Sequence, residues 1–98
     1  MGARLGDTAS TPRVLPRRKT FEPVVLTVGD TTHRAHMLNL SAGGACLHAR
    51  CTVSIWNSVV IALHGRELHG RVSWVAGDRF GVRFVAPLSE AELDAIVS

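Results

Sequence analysis

Two short stretches of this chain carry the residue types that can hold a polar ligand. Arg13, Arg17, Arg18 and Lys19 place four of the eleven Lys and Arg residues within a seven-residue stretch that contains no acid. A basic cluster this short suits a few phosphates better than a long polymer backbone, so it points to a small anionic ligand. Some twenty residues downstream, Asn39-Leu40-Ser41-Ala42-Gly43-Gly44 sets two short polar side chains and two glycines inside apolar sequence. Asn and Ser offer donors and acceptors on short stems, and glycine lets the backbone turn or approach another group closely. Asn39 and Ser41 lie two apart, which on an extended backbone points them to the same side. Read alone, the hexapeptide reads first as a strand ending in an Asx-type turn.

Other chemistries find less support. Cys46 and Cys51 lack CxxC spacing and companion ligands, and read as reduced, packed thiols. The five histidines, His33, His36, His48, His64 and His69, follow no HExxH pattern and fall one to nearly every predicted strand, which suits scattered surface positions better than a metal cluster. None of these histidines or cysteines is paired by pattern with an activating partner and the acids are scattered, so the expectation is a protein that is not an enzyme, with no metal and no cofactor.

The elements that must position the two stretches follow from length and pattern. With 98 residues, 46% of them hydrophobic and 19% charged, the chain has room for one folded module with a modest core. It has no apolar run long enough to insert in a membrane and no charged-then-apolar leader between Met1 and Pro12, so a cytoplasmic location is expected. Residues 1–12 show no apolar periodicity and are expected to be a disordered tail. Residues 13–22 read as a basic ligand-binding loop, because Pro12 and Pro16 disfavour helix. Residues 23–98 form the folded body.

In that body Val24, Leu26 and Val28 alternate before the hairpin signal Gly29-Asp30, Thr32–Leu40 makes a second strand, and Ala45–His48 a third. Arg50–Asn57 is a connection that Trp56 could anchor. Ser58–Leu63 and Arg66–Val75 form a hairpin through His64-Gly65. Ala76-Gly77-Asp78 then turns into Arg79–Val85, with Phe80, Val82 and Phe84 facing inward. The pattern sets Leu68, Gly70, Val72 and Trp74 on one face. At the end Ser89 is an N-cap with Glu92 three residues on, Leu88 and Leu93 stand at staple positions, and Leu93, Ile96 and Val97 make an apolar stripe. Six short strands and tight turns predict an all-β fold, a small six-stranded antiparallel (split) β-barrel with a short C-terminal α-helix, because closure removes exposed edges.

With these residues in this order, the chain resembles the PilZ domain family. Arg13-Val14-Leu15-Pro16-Arg17 fits that family's RxxxR signature, and Asn39-Leu40-Ser41-Ala42-Gly43-Gly44 fits its [D/N]xSxxG signature. Val72-Ser73-Trp74 followed by Phe80-Gly81-Val82-Arg83-Phe84 looks like its final hairpin. The resemblance covers about residues 13 to 97. It implies a bacterial second-messenger receptor in which cyclic di-GMP is bound by Arg13, Arg17, Asn39, Ser41 and Gly44. The ligand carries two phosphates and two guanine O6/N7 edges, and the arginine fork matches either group and can stack on a base.

Arg18 is included in the ligand set, with Lys19 beside it, as general electrostatic attraction. Trp74 is either a stacking platform for one base or a plug for the barrel. The expected partners are cyclic di-GMP and a downstream protein, with no DNA or RNA. A single-strand nucleic-acid binder needs aromatics across an exposed sheet face, and the chain has only five Phe and Trp residues. The alternative is a PilZ-like protein-interaction module that does not bind nucleotide.

Overall fold

Alternation along each strand and glycine at the turns build one closed sheet. A computed structural model describes residues 18–97, with side chains over residues 20–96. The strands are β1 (Arg18–Val28), β2 (Thr31–Leu40), β3 (Gly44–His48), β4 (Ser58–Leu63), β5 (Arg66–Ala76) and β6 (Arg79–Phe84), followed by the helix α1 (Glu90–Val97). All neighbours are antiparallel and the barrel order is β1-β2-β3-β6-β5-β4, with β4 pairing back onto β1. Three hairpins turn on two residues, with Gly29 at φ +60° leading one, Gly77 at φ +63° another, and both His64 and Gly65 positive in the third. Those left-handed angles match the right-handed twist of the strands they join.

The core is the inward half of each alternation: Val24 and Leu26 on β1, Ala45 and Leu47 on β3, Val59, Ile61 and Leu63 on β4, Leu68 and Val72 on β5, and Phe80, Val82 and Phe84 on β6. Gly70 takes its turn in this series because a Cβ there would lie 2.5 Å from the Arg83 carbonyl oxygen and 2.6 Å from Val82 Cγ1.

Three bulges break the alternation, and they decide which residues leave the core. On β1, Thr20 and Phe21 together oppose Leu38, between the pairs Lys19↔Asn39 and Glu22↔Met37. Phe21 takes φ +55° there and stacks on His36, with ring centroids 5.0 Å apart. On β2 the extra residue Leu38 falls between Met37↔Leu47 and Asn39↔Cys46, so Leu40 turns inward after Met37 and Asn39 stays out. On β5 the extra residue Ser73 falls between Val72↔Val82 and Trp74↔Gly81. Each bulge re-aims the residue that follows it.

The last of these corrects the expected face of β5. Trp74 does not continue the series of Leu68, Gly70 and Val72, and it does not plug the barrel. It stands on the outer surface, 39% exposed. Trp56 does not anchor the β3–β4 connection with its ring either, being 69% exposed; Val53 is the buried side chain there, and the Trp56 N–H donates to the Val72 carbonyl at 2.7 Å. Finally, β1 begins at Arg18, so residues 18–22, expected in the loop, are strand.

At the C-terminus the helix start is held reciprocally. The Ser89 N–H donates to Glu92 Oε1 at 2.8 Å and the Glu92 N–H donates to Ser89 Oγ at 3.0 Å. Leu93 and Ile96 are buried and Leu88 packs on the same core. The Ser89 backbone N–H, aided by its hydroxyl, holds the Glu92 carboxyl below its ordinary value of 4.5. A depressed carboxylate contributes stability above the unfolded pKa and loses it as pH falls through the folded one. Ser89→Ala removes the hydroxyl that accepts from the Glu92 N–H, and loss of such an N-cap is expected to cost about 1 kcal/mol. Because alanine keeps the backbone N–H that is the larger cause of the lowered Glu92 pKa, the loss of α1 helicity on acidification below the ordinary carboxylate range, followed by circular dichroism, should be flattened only in part.

Candidate functional site

The hairpin between β2 and β3 closes through the turn Ser41–Gly44. The Ser41 N–H donates to the Gly44 carbonyl at 2.8 Å, and the Ser41 hydroxyl reaches the same oxygen at 3.3 Å. Ser41 is the one buried polar side chain among the described residues. The next two carbonyls are also taken: Gly43 accepts from the Phe84 N–H at 2.9 Å, and Ala42 accepts from the Leu88 N–H at 2.8 Å. The turn is thus tied to the end of β6 and to the segment leading into α1. No backbone carbonyl of the described residues is recorded as accepting from the Ala42 and Gly43 N–H groups. A turn whose carbonyls are taken from within the barrel and which presents successive backbone N–H groups suits an anion.

Gly44 is required by close packing. A Cβ on it would sit 2.2 Å from the Val82 carbonyl oxygen, so β3 approaches β6 more tightly than any side chain permits. On the outer surface beside it lies an open depression of about 320 Å³, lined by Ser41, Gly43, Gly44, Ala45, Ser73, Trp74, Gly81, Val82 and Arg83. The Trp74 indole lies across Gly81: a Cβ at 81 would meet its Nε1 at 2.0 Å. The bare backbone of Gly81 is what lets the ring lie against the sheet, and the Ser73 hydroxyl donates to the Gly81 carbonyl at 3.3 Å. A partly exposed indole held in this way offers a stacking face.

Strand register places the remaining expected residues. Asn39, Cys46, Gly81 and Trp74 are successive partners across β2, β3, β6 and β5, forming one row on the outer surface. Cys46 is buried in that row yet stands outside the core cluster. Ser41 lies beyond the end of β2, so strand alternation does not relate it to Asn39; Ser41 lines the depression while Asn39 occupies the adjoining row. The structure therefore brings Ser41, Gly44 and Trp74 together, with Asn39 at the edge.

Arg13 and Arg17 lie outside the described residues. Arg18 opens β1 opposite Leu40, and Lys19 is opposite Asn39. Gly81, Ser73 and Arg83 were not singled out from the sequence. The available signals were a glycine inside the alternating run Phe80–Phe84, which marks close approach, and a charge between two core positions.

The sequence model of the PilZ domain matches residues 11–98 of the chain. No curated protein matches the chain significantly.

Proposed function

Because the chain belongs to the PilZ domain family, we propose that it is a receptor for cyclic di-GMP. On this reading the arm carrying Arg13 and Arg17 folds over the nucleotide against Asn39, Ser41 and Gly44, with one guanine stacked on Trp74. One observation carries it: the register that sets Arg18 opposite Leu40 delivers the start of β1 to the same end of the barrel as the Ser41–Gly44 turn and its depression. The arginine forks supply bidentate bonds to phosphate or to a guanine O6/N7 edge. The backbone N–H groups of the turn can donate to the same kind of ligand. Ordering the arm costs chain entropy, and in return ligand concentration is converted into a changed surface that a downstream protein reads, in the cytoplasm.

Isothermal titration of the 98-residue chain with cyclic di-GMP tests the reading. Saturable heat with one or two ligands per chain is the expected result, and no heat at high micromolar ligand would overturn it. The exposed pair Ile55 and Trp56 favours a second reading. They are 51% and 69% exposed, and Trp56 is held at φ +76°, where a bulky residue is strained. Such a tip suits contact with another protein, and a partner captured equally with and without nucleotide would support a module that acts through protein contacts alone.

A further inference from the structure

The outer surface of β5 and β6 carries a pair of like charges in direct opposition. Arg71 on β5 is the register partner of Arg83 on β6, and the same row continues to Ser58 on β4 and Gly44 on β3. Both arginines are exposed. Cross-strand partners stand about 5 Å apart at Cα, and like charges so placed oppose folding.

Neither arginine has an ion pair among the described residues. β3 and β4 contain no acid at all. On β5 the nearest is Glu67, four residues away or about 13 Å along the strand, and its carboxylate is 3.7 Å from His69. On the β6 side the nearest is Asp78, in the turn beyond Arg79. A repulsive pair with no ion pair among the described residues, one member of which lines the depression beside the Ser41–Gly44 turn, is arranged for an anion that comes from outside.

We propose that Arg71 and Arg83 form a phosphate seat, and that it takes one phosphodiester of the nucleotide whose base rests on Trp74; this second clause rests on the function proposed above. Arg83 lines the depression together with Ser41 and Trp74; Arg71, its partner across the β5–β6 ladder, lines the neighbouring depression with Ser58 and Gly70, and its long side chain reaches over from there. Gly81, under the indole, is two residues from Arg83, about 6.5 Å along the strand. That span is comparable with the reach from base to phosphate within one nucleotide. The seat therefore approaches the ligand from the sheet side, and two guanidinium forks can share the oxygens of one phosphate.

The test is an NMR and calorimetric titration of wild type, Arg83→Ala, Arg83→Lys and the double variant Arg71→Ala/Arg83→Ala with cyclic di-GMP, and in parallel with inorganic pyrophosphate. Arg83→Ala is expected to weaken nucleotide binding at least about tenfold, since one charge-assisted bond is worth more than that factor. Arg83→Lys should recover only part, and the double variant should melt no lower than wild type, because a repulsion has been removed. If wild type binds the nucleotide and the double variant binds it within twofold, the seat is overturned and the receptor function stands. If wild type binds no nucleotide, the receptor function falls and pyrophosphate decides the seat. Shifts at the Arg71 and Arg83 Nε–H signals that vanish in the double variant support it, and their absence overturns it.

Discussion

Arg17→Ala is expected to weaken cyclic di-GMP binding by about 100-fold or more while leaving thermal unfolding unchanged. Hydrogen bonds to a charged group contribute about 1.5–3 kcal/mol each. A bidentate guanidinium makes two of them, so their joint loss exceeds the 2.8 kcal/mol or so that corresponds to 100-fold. Stability is spared because the core is assembled from Val24 onward. Arg17→Lys separates fork from charge: lysine keeps the charge but cannot reproduce the planar two-point contact, so it should recover little of the loss. Arg18→Ala, removing only general attraction, should cost a few-fold that disappears at high salt. Equal affinities for wild type and Arg17→Ala would exclude the arm from the site, whatever the affinity itself.

How much of this was legible in the sequence depended on whether a residue obeyed a period. Ser58–Leu63 alternates without interruption and its observed bounds are the expected ones. The hairpins on Gly29, Gly65 and Gly77 were legible because positive φ is a demand few residues meet. Ser89 and Glu92 announced the helix through a spacing that has one physical meaning. The face of Trp74 was not legible, because a bulge inserts a residue into the count without any residue type that marks it, and one extra residue reverses every side chain after it. The start of β1 at Arg18 was hidden for a related reason. Arg-Lys-Thr-Phe-Glu has no apolar alternation, and it is strand because β2 lies beside it and supplies the ladder. The site followed the same division. Asn39 to Gly44 stood out by composition, whereas Gly81 and Arg83 acquire meaning only from what lies across the sheet from them: an indole in one case, a second arginine in the other.

Gly44→Ala should be the most damaging single methyl group at the site, lowering stability by about 2–3 kcal/mol, at the upper end of what overpacking costs, and abolishing ligand binding with it. The atom its Cβ would meet at 2.2 Å is a backbone oxygen, that of Val82, with the Val82 carbonyl carbon 3.3 Å away. Backbone cannot rotate aside, so relief requires β3 to withdraw from β6, straining a ladder of five pairs from Gly44↔Arg83 to His48↔Arg79. The same withdrawal pulls on the bonds from Phe84 to Gly43 and from Leu88 to Ala42, so the turn, the end of β6 and the entry to α1 are disturbed together. Gly81→Ala is the control with the opposite balance. There the added carbon meets the pyrrole edge of a partly exposed indole, a side chain that can rotate outward where backbone cannot, so stability should fall by less than for Gly44→Ala, about 1 kcal/mol. Affinity, however, should fall by the worth of one stacked base, about 1–3 kcal/mol. In a Trp56→Phe background, Trp74 emission reports the displaced ring directly. Chemical denaturation of the two alanine variants therefore distinguishes a rigid cradle from a movable platform. If Gly44→Ala unfolded with wild type, the β3–β6 approach would be soft, and the turn could not hold its N–H groups in place for an anion.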